Sequence, residues 1–377
     1  MNDWIYLDNN ATTPIAPEVV EAIIKELSYS PSNASSIHHF GQMAKARLSS
    51  ARYNIAKSIG VLPEEVTFSS GATEALNSLI RGYSSMFPNK QIISSNIEHS
   101  CIYKTLTELK DQGRDILFLK PNDQGLISRD LLEEHLSDKT GLVVLSAANV
   151  ETGVKNEINE IASFLHPKET FFIVDAVAFF GKDYLTTHEG ISAMVFSGHK
   201  FHGPQGSGFT YKNKAFKINN MMTGGEQEFS SRAGTENLPA IMGVAKAVEL
   251  LDKDTPGIID HISNLRKTFE SEILRNLNDV WINGTGPRVS NTSNIGFGGI
   301  DGESLLINLD LAKIAVSHGS ACASGAIEPS RILLNMGLSK KKANSSIRFS
   351  FSRMNTIEEV YKACETIAVQ VNQLRNL

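Results

Sequence analysis

The sequence predicts an α/β protein: a larger unit on a mainly parallel, seven-stranded sheet with helices on both faces, and a smaller α+β unit. Three observations carry this expectation. The chain has 377 residues, more than one hydrophobic core usually serves. Between about residues 65 and 210, seven short apolar runs alternate with segments of helical length. Beyond residue 254 the pattern changes to long helices with few strand-like runs.

The seven runs are "EVTFSS" (65–70), "QIISSN" (91–96), "DILFLK" (115–120), "GLVVLSA" (141–147), "FFIVDA" (171–176), "AMVFSG" (193–198) and "GFTYK" (208–212). Each is short and contains β-branched or aromatic residues, and all read as buried strands. The segments "TEALNSLIRGYSSM" and "EINEIASFLHP" supply crossover helices. A long helix over 237–254 has apolar residues at 241, 244, 245, 248 and 251, one helical face. The strand-like "SNIGFGG" (293–299) and a last helix bearing Cys364 on its apolar face follow, so Cys364 is expected in a core. The division expected is a large unit over 15–254 and a small unit made of 1–14 and 255–377.

Composition excludes several classes. With 41% hydrophobic and 20% charged residues the chain is that of a globular protein. A net charge of −5 argues against direct nucleic-acid binding, and "KKK" at 340–342 reads as a solvated helix start. No apolar run reaches the length of a membrane span and no secretory pattern opens the chain, so a cytoplasmic location is expected. Three cysteines, at 101, 322 and 364, are too widely spaced for a disulfide framework or a metal site.

In a parallel sheet, ligands gather beyond the carboxyl ends of the strands. After the first run comes Gly71-Ala72-Thr73-Glu74, a glycine leading into a helix start, which can cradle an anion or simply be an N-cap at Thr73. After the second comes His99, stacking group or structural histidine. Asp175 ends the fifth run, and a carboxylate there needs a cationic or N–H partner. Ser197, His199 and Lys200 follow the sixth, where a desolvated lysine becomes a nucleophilic amine. Read singly, each has a plainer alternative. Read together, an anion cradle, a cation-seeking aspartate, a ring-sized histidine and a cleft lysine are the set that pyridoxal phosphate requires. Cys322 stands among Gly, Ser and Ala in "VSHGSACASGAIEPSRIL", the setting of an exposed, reactive thiol. Arg348, opposite in phase to Ile347 and Phe349, suits a substrate carboxylate or a structural ion pair.

The stretches "YLDNNATTP", "NASSIHHFG", "SSGATEALN", "EHS", "VDA", "SGHKFHGPQGSG", "RAGTEN", "GSACASGAIEPS" and "SSIRFS", in this order, resemble the cysteine desulfurases over nearly the whole chain. These belong to the class-V aminotransferase-like enzymes of pyridoxal-phosphate fold type I, and the likeness is to the NifS/IscS-like subgroup. The resemblance implies that L-cysteine becomes L-alanine, with sulfur passing to Cys322 as a persulfide for an acceptor protein. It implies that Lys200 holds the cofactor and moves protons, and that Asp175 partners the ring nitrogen. His99 would stack on the ring and relay protons, while Ala72, Thr73, Ser197 and His199 hold the phosphate. Thr235 would reach the neighbouring site of a homodimer, Arg348 would clamp the substrate carboxylate, and Asn33 and His38 would lie near the substrate entrance. No metal is implied. The alternatives are a selenocysteine lyase, another β-eliminating enzyme, or a weakened sulfur-relay scaffold.

Three positions depart from the family pattern, two of them at the cofactor. Val150 stands where the family carries an asparagine, and Ala178 where it carries a glutamine that bonds the cofactor's phenolic oxygen. Ala34 replaces a proline.

Overall fold

The computed structural model describes residues 4–29, 31–318 and 328–376. Its twelve described strands are β1 (Ile5–Tyr6), β2 (Val66–Ser69), β3 (Gln91–Ser95), β4 (Ile116–Leu119), β5 (Thr140–Ser146), β6 (Phe171–Asp175), β7 (Ala193–Ser197), β8 (Gly208–Lys212), β9 (Val280–Ile282), β10 (Thr292–Phe297), β11 (Ile314–Ala315) and β12 (Ser346–Ser350). The first four helices are α1 (Pro17–Leu27), α2 (His39–Ile59), α3 (Ala72–Met86) and α4 (Ser100–Asp111).

The large sheet has seven strands in the order β2-β8-β7-β6-β5-β3-β4. Its β3, β4, β5, β6 and β7 pair in parallel, and β8 runs antiparallel to both β2 and β7. All seven expected strands are present, each within about a residue or two of its expected ends. β5 and β7 are buried at every position, which is why their sequences are unbroken apolar runs rather than alternating ones. One face packs Val143, Leu145, Phe172, Val174, Met194 and Phe196 against α2 and the helix Leu238–Asp252. The opposite face packs Ile92, Leu142, Val144, Ile173 and Val195 against α3 and α4. At about 1.5–3 kcal/mol for each fully buried aliphatic or aromatic side chain, these two layers are the main source of stability.

A separate apolar cluster joins Ile5 and Leu7 of the N-terminal segment to Phe269, Phe297, Phe349, Val360, Ile367 and Val371. It includes Cys364, which is 2% exposed. Its frame is the antiparallel order β12-β10-β9, with β1 paired in parallel to β11 alongside.

Candidate active site

The parallel strands β3, β5, β6 and β7 point their carboxyl ends at one cavity of about 790 Å³. Ala72, Thr73, His99, Asp175, Ser197, His199, Lys200 and Arg348 all line it. All but Arg348, which lies within β12, end or follow a strand of the large sheet or start the next helix.

The α3 N-terminus opens onto the cavity. Its N-cap, Gly71, has φ +143°, a conformation that side-chain-bearing residues rarely adopt, and no side chain caps the helix. The first N–H groups of α3 are therefore left for an anion, with the positive end of the helix dipole behind them. Thr73 and Ser197 add hydroxyls beside them. His199 lies against Thr12, its Nδ1 3.2 Å from the Thr12 hydroxyl. Burial, then the charges of Lys200 and Lys182, pull its pKa down to about 4, so the ring is neutral.

Asp175 ends β6 with 6% exposure. Among the described residues its side chain accepts one hydrogen bond, from the N–H of Val177 at 3.0 Å. Desolvation raises its pKa, against the pull of that N–H, His99 and Lys200. A buried carboxylate so lightly satisfied needs a further cationic or N–H partner.

Lys200 sits in the short turn Gly198–Lys200 that leaves β7. Its amine donates to the carbonyls of Asn10 and of Ala11, the latter at 2.8 Å. Loss of water in the cleft, reinforced by Arg348, pulls its pKa down to about 8 despite Asp8 and Asp175. An amine in that state is a nucleophile near neutral pH.

Arg348, on β12, donates to Oδ1 of Asp8 at 2.8 Å and to the Val150 carbonyl at 3.4 Å, while its buried Nε has no partner. It is 8% exposed, and an N–H buried without a partner carries a desolvation cost.

The donor set fits pyridoxal phosphate. The uncapped α3 start would meet the phosphate, the under-satisfied Asp175 a protonated ring nitrogen, and the Lys200 amine an aldehyde. Val150 and Ala178 also line the cavity and present apolar surface there.

Other expected residues lie apart. Thr235 lines a neighbouring cleft of about 160 Å³ with Ser69, Ser70, Gly206 and Arg232. Asn33 is exposed, its side chain accepting the Ser35 N–H at 2.9 Å, and His38 caps α2 through the Gly41 N–H at 3.3 Å; neither lines the cavity. Cys322 lies outside the described residues.

Sequence reading alone missed five further residues. Asp8 and Arg331 line the cavity, as does Cys101, whose place directly after "EHS" was the signal available. Arg331 donates to the carbonyls of Asn96 and Glu98 and stacks 4.0 Å over the Tyr103 ring. Lys182 is 5% exposed, and burial, with Lys200 nearby, pulls its pKa down to about 7. Behind His99, Glu98 takes hydrogen bonds from both Ser95 and Ser146; burial carries its pKa up to about 7.

The model of the aminotransferase class-V family matches residues 5–362. A cysteine desulfurase of Trichormus azollae is 38% identical over 376 residues, covering 99% of this chain and 94% of that protein. Among solved structures, a NifS-like protein superposes with a TM-score of 0.91 at 31% identity, covering 98% of this chain and 100% of its own. SspA in complex with cysteine gives a TM-score of 0.82 at 29% identity, covering 93% of this chain and 100% of its own. The chain therefore belongs to the class-V aminotransferases and, within them, to the pyridoxal-phosphate-dependent cysteine desulfurases.

Proposed function

We propose that the protein converts L-cysteine to L-alanine at this cavity and takes the sulfur onto Cys322 as a persulfide. The observation that carries the reading is the convergence of Lys200, Asp175, His99, Arg348 and the open α3 N-terminus on one cavity. Support for the substrate comes from the solved relative SspA, which is in complex with cysteine.

When bound, pyridoxal phosphate supplies a sink for negative charge at the substrate's α-carbon. The chain's own residues do the rest. Ala72, Thr73, Ser197 and His199 hold the phosphate, Asp175 keeps the ring nitrogen protonated, and His99 covers the ring face. Arg348 takes the substrate carboxylate with its guanidinium. Lys200 anchors the cofactor and then carries a proton from the α-carbon. The Cys322 thiolate attacks the substrate sulfur; the S–S bond forms as the C–S bond breaks, and the electron pair stays on the carbon side. One proton to the β-carbon and one returned to the α-carbon complete alanine, and the persulfide awaits an acceptor protein.

Thr235, in a cleft that adjoins the cavity through Ser70 and Gly206, is suited to contact the cofactor phosphate of a second copy, so we read the working form as a homodimer. Asn33 and His38 belong to the entrance side. The large unit is 15–254, and 1–14 with 255–377 form the small one that carries Cys322. Among the described residues no helix is long and apolar enough to cross a membrane; a reaction that needs a free thiol suits the reducing cytoplasm.

Alanine and sulfide release from L-cysteine, with and without reductant, tests the reading in wild type and Cys322→Ala. Alanine from wild type and its loss in the variant are expected; alanine that survives Cys322→Ala would mean β-elimination instead. The apolar pair Val150 and Ala178 is read as retuning the cofactor's surroundings. In the same assay Val150→Asn with Ala178→Gln should shift the visible spectrum and turnover, and no change in either would remove that part of the reading.

A further inference from the structure

Cys101 is the second residue of α4, and sulfur transfer through Cys322 gives it no task. Its Sγ lies 3.0 Å from Nδ1 of His99, and the same nitrogen accepts the Cys101 backbone N–H at 3.2 Å. His99 is thus the N-cap of α4, and its ring is turned so that Nδ1 faces the helix start. A ring nitrogen that accepts a backbone N–H carries no proton of its own, so the thiol is the donor in the second contact.

The surroundings keep that assignment in place. Burial, with the negative charges of Asp175 and Glu98, pushes the Cys101 thiol up to about 12, so the S–H persists through the neutral range; Thr73 faces the sulfur from α3. Facing His99 are Asp175 from the end of β6, Lys200 from the turn after β7, and Arg331 from the helix Arg331–Asn335. Desolvation lowers the histidine's pKa; Lys200 and Arg331 push the same way, and Asp175 opposes them.

We propose that Cys101 is a positioning residue: its S–H and N–H together hold His99 as the neutral Nε2–H tautomer, so that the imidazole offers the cavity a hydrogen-bond donor. Proton abstraction then falls to Lys200, whose amine is the base available near neutral pH. The proposal rests on reading this cavity as the desulfurase site, but its test does not depend on turnover.

The sign follows from the bond. A donor to Nδ1 stabilises the neutral ring, so removing it makes the ring easier to protonate. Nuclear magnetic resonance of the cofactor-loaded protein labelled with nitrogen-15 histidine reads the tautomer directly, and His99→Gln identifies the signals. The wild type should show Nε2–H. Cys101→Ala should move the His99 titration to higher pH and lower kcat/KM about three- to tenfold at pH 6, with less than about a twofold change at pH 8.5. Cys101→Ser, which restores a donor, should return both toward wild type. An Nδ1–H tautomer in the wild type overturns the proposal, as does a His99 titration identical in wild type, alanine and serine forms. A protein that showed the expected tautomer yet made no alanine would count against the desulfurase reading alone.

Discussion

Lys200 holds its amine against the carbonyls of Asn10 and Ala11 in a cleft that strips its water, and the proton leaves near pH 8. Because its pKa is depressed, the reactive neutral amine is the minor form below pH 8 and the major form above it. Protein stripped of cofactor should therefore regain its visible absorbance on adding pyridoxal phosphate at a rate that climbs from pH 7 to 9 and levels beyond. A rate flat across that window would contradict the account. Lys200 and Asp175 were legible in the sequence because a charged residue ending an apolar run is costly and local. Arg331 was not, since its partners at Asn96 and Glu98 are 235 and 233 residues away along the chain. Lys182 was hidden for the same reason: nothing in "FFGKDY" says that its lysine is walled in on every side.

At the scale of elements, apolar runs gave strand positions but not directions. β8 is as apolar as its neighbours, and only the return of the chain after the Lys200 loop makes it antiparallel. Harder to foresee was the turn at Glu228, Phe229 and Ser230, three non-glycine residues in succession with φ of 50°, 55° and 58°. Such backbone costs of the order of 1–3 kcal/mol per residue and needs an anchor. The anchor is the buried Glu228 carboxylate, bound to Arg52 at 2.7 and 2.8 Å and to the Phe68 N–H at 2.8 Å. Arg232, which pairs with Glu74 at 2.8 Å beside the α3 start, and Thr235 follow directly. Glu228→Ala leaves Arg52 buried without its counter-charge and should destabilise the protein by about 3–5 kcal/mol. Denaturant unfolding would measure it, and a loss under about 1 kcal/mol would show that the pair does not hold the turn.

Across the whole molecule, the cavity is assembled from distant parts of the chain. Asn10 shows how: its side chain donates to the Val150 carbonyl at 2.9 Å and to Thr292 at 2.8 Å, and accepts from Asn291 at 2.9 Å. Its backbone carbonyl meanwhile takes the Lys200 amine. One residue near the N-terminus thus ties the large sheet's strand ends to β10. The fold class was readable because alternation of strands and helices is periodic; this cross-linking was not, because asparagine side chains carry no pattern that names their partners. We propose that this cavity is the cofactor site and that Lys200 holds the cofactor, rather than Lys182, a buried lysine whose pKa is also depressed. Borohydride reduction of the cofactor-loaded protein, followed by peptide mass spectrometry, tests it most directly. The pyridoxyl mass is expected on Lys200; finding it on Lys182, or on no lysine of this cavity, would contradict the account.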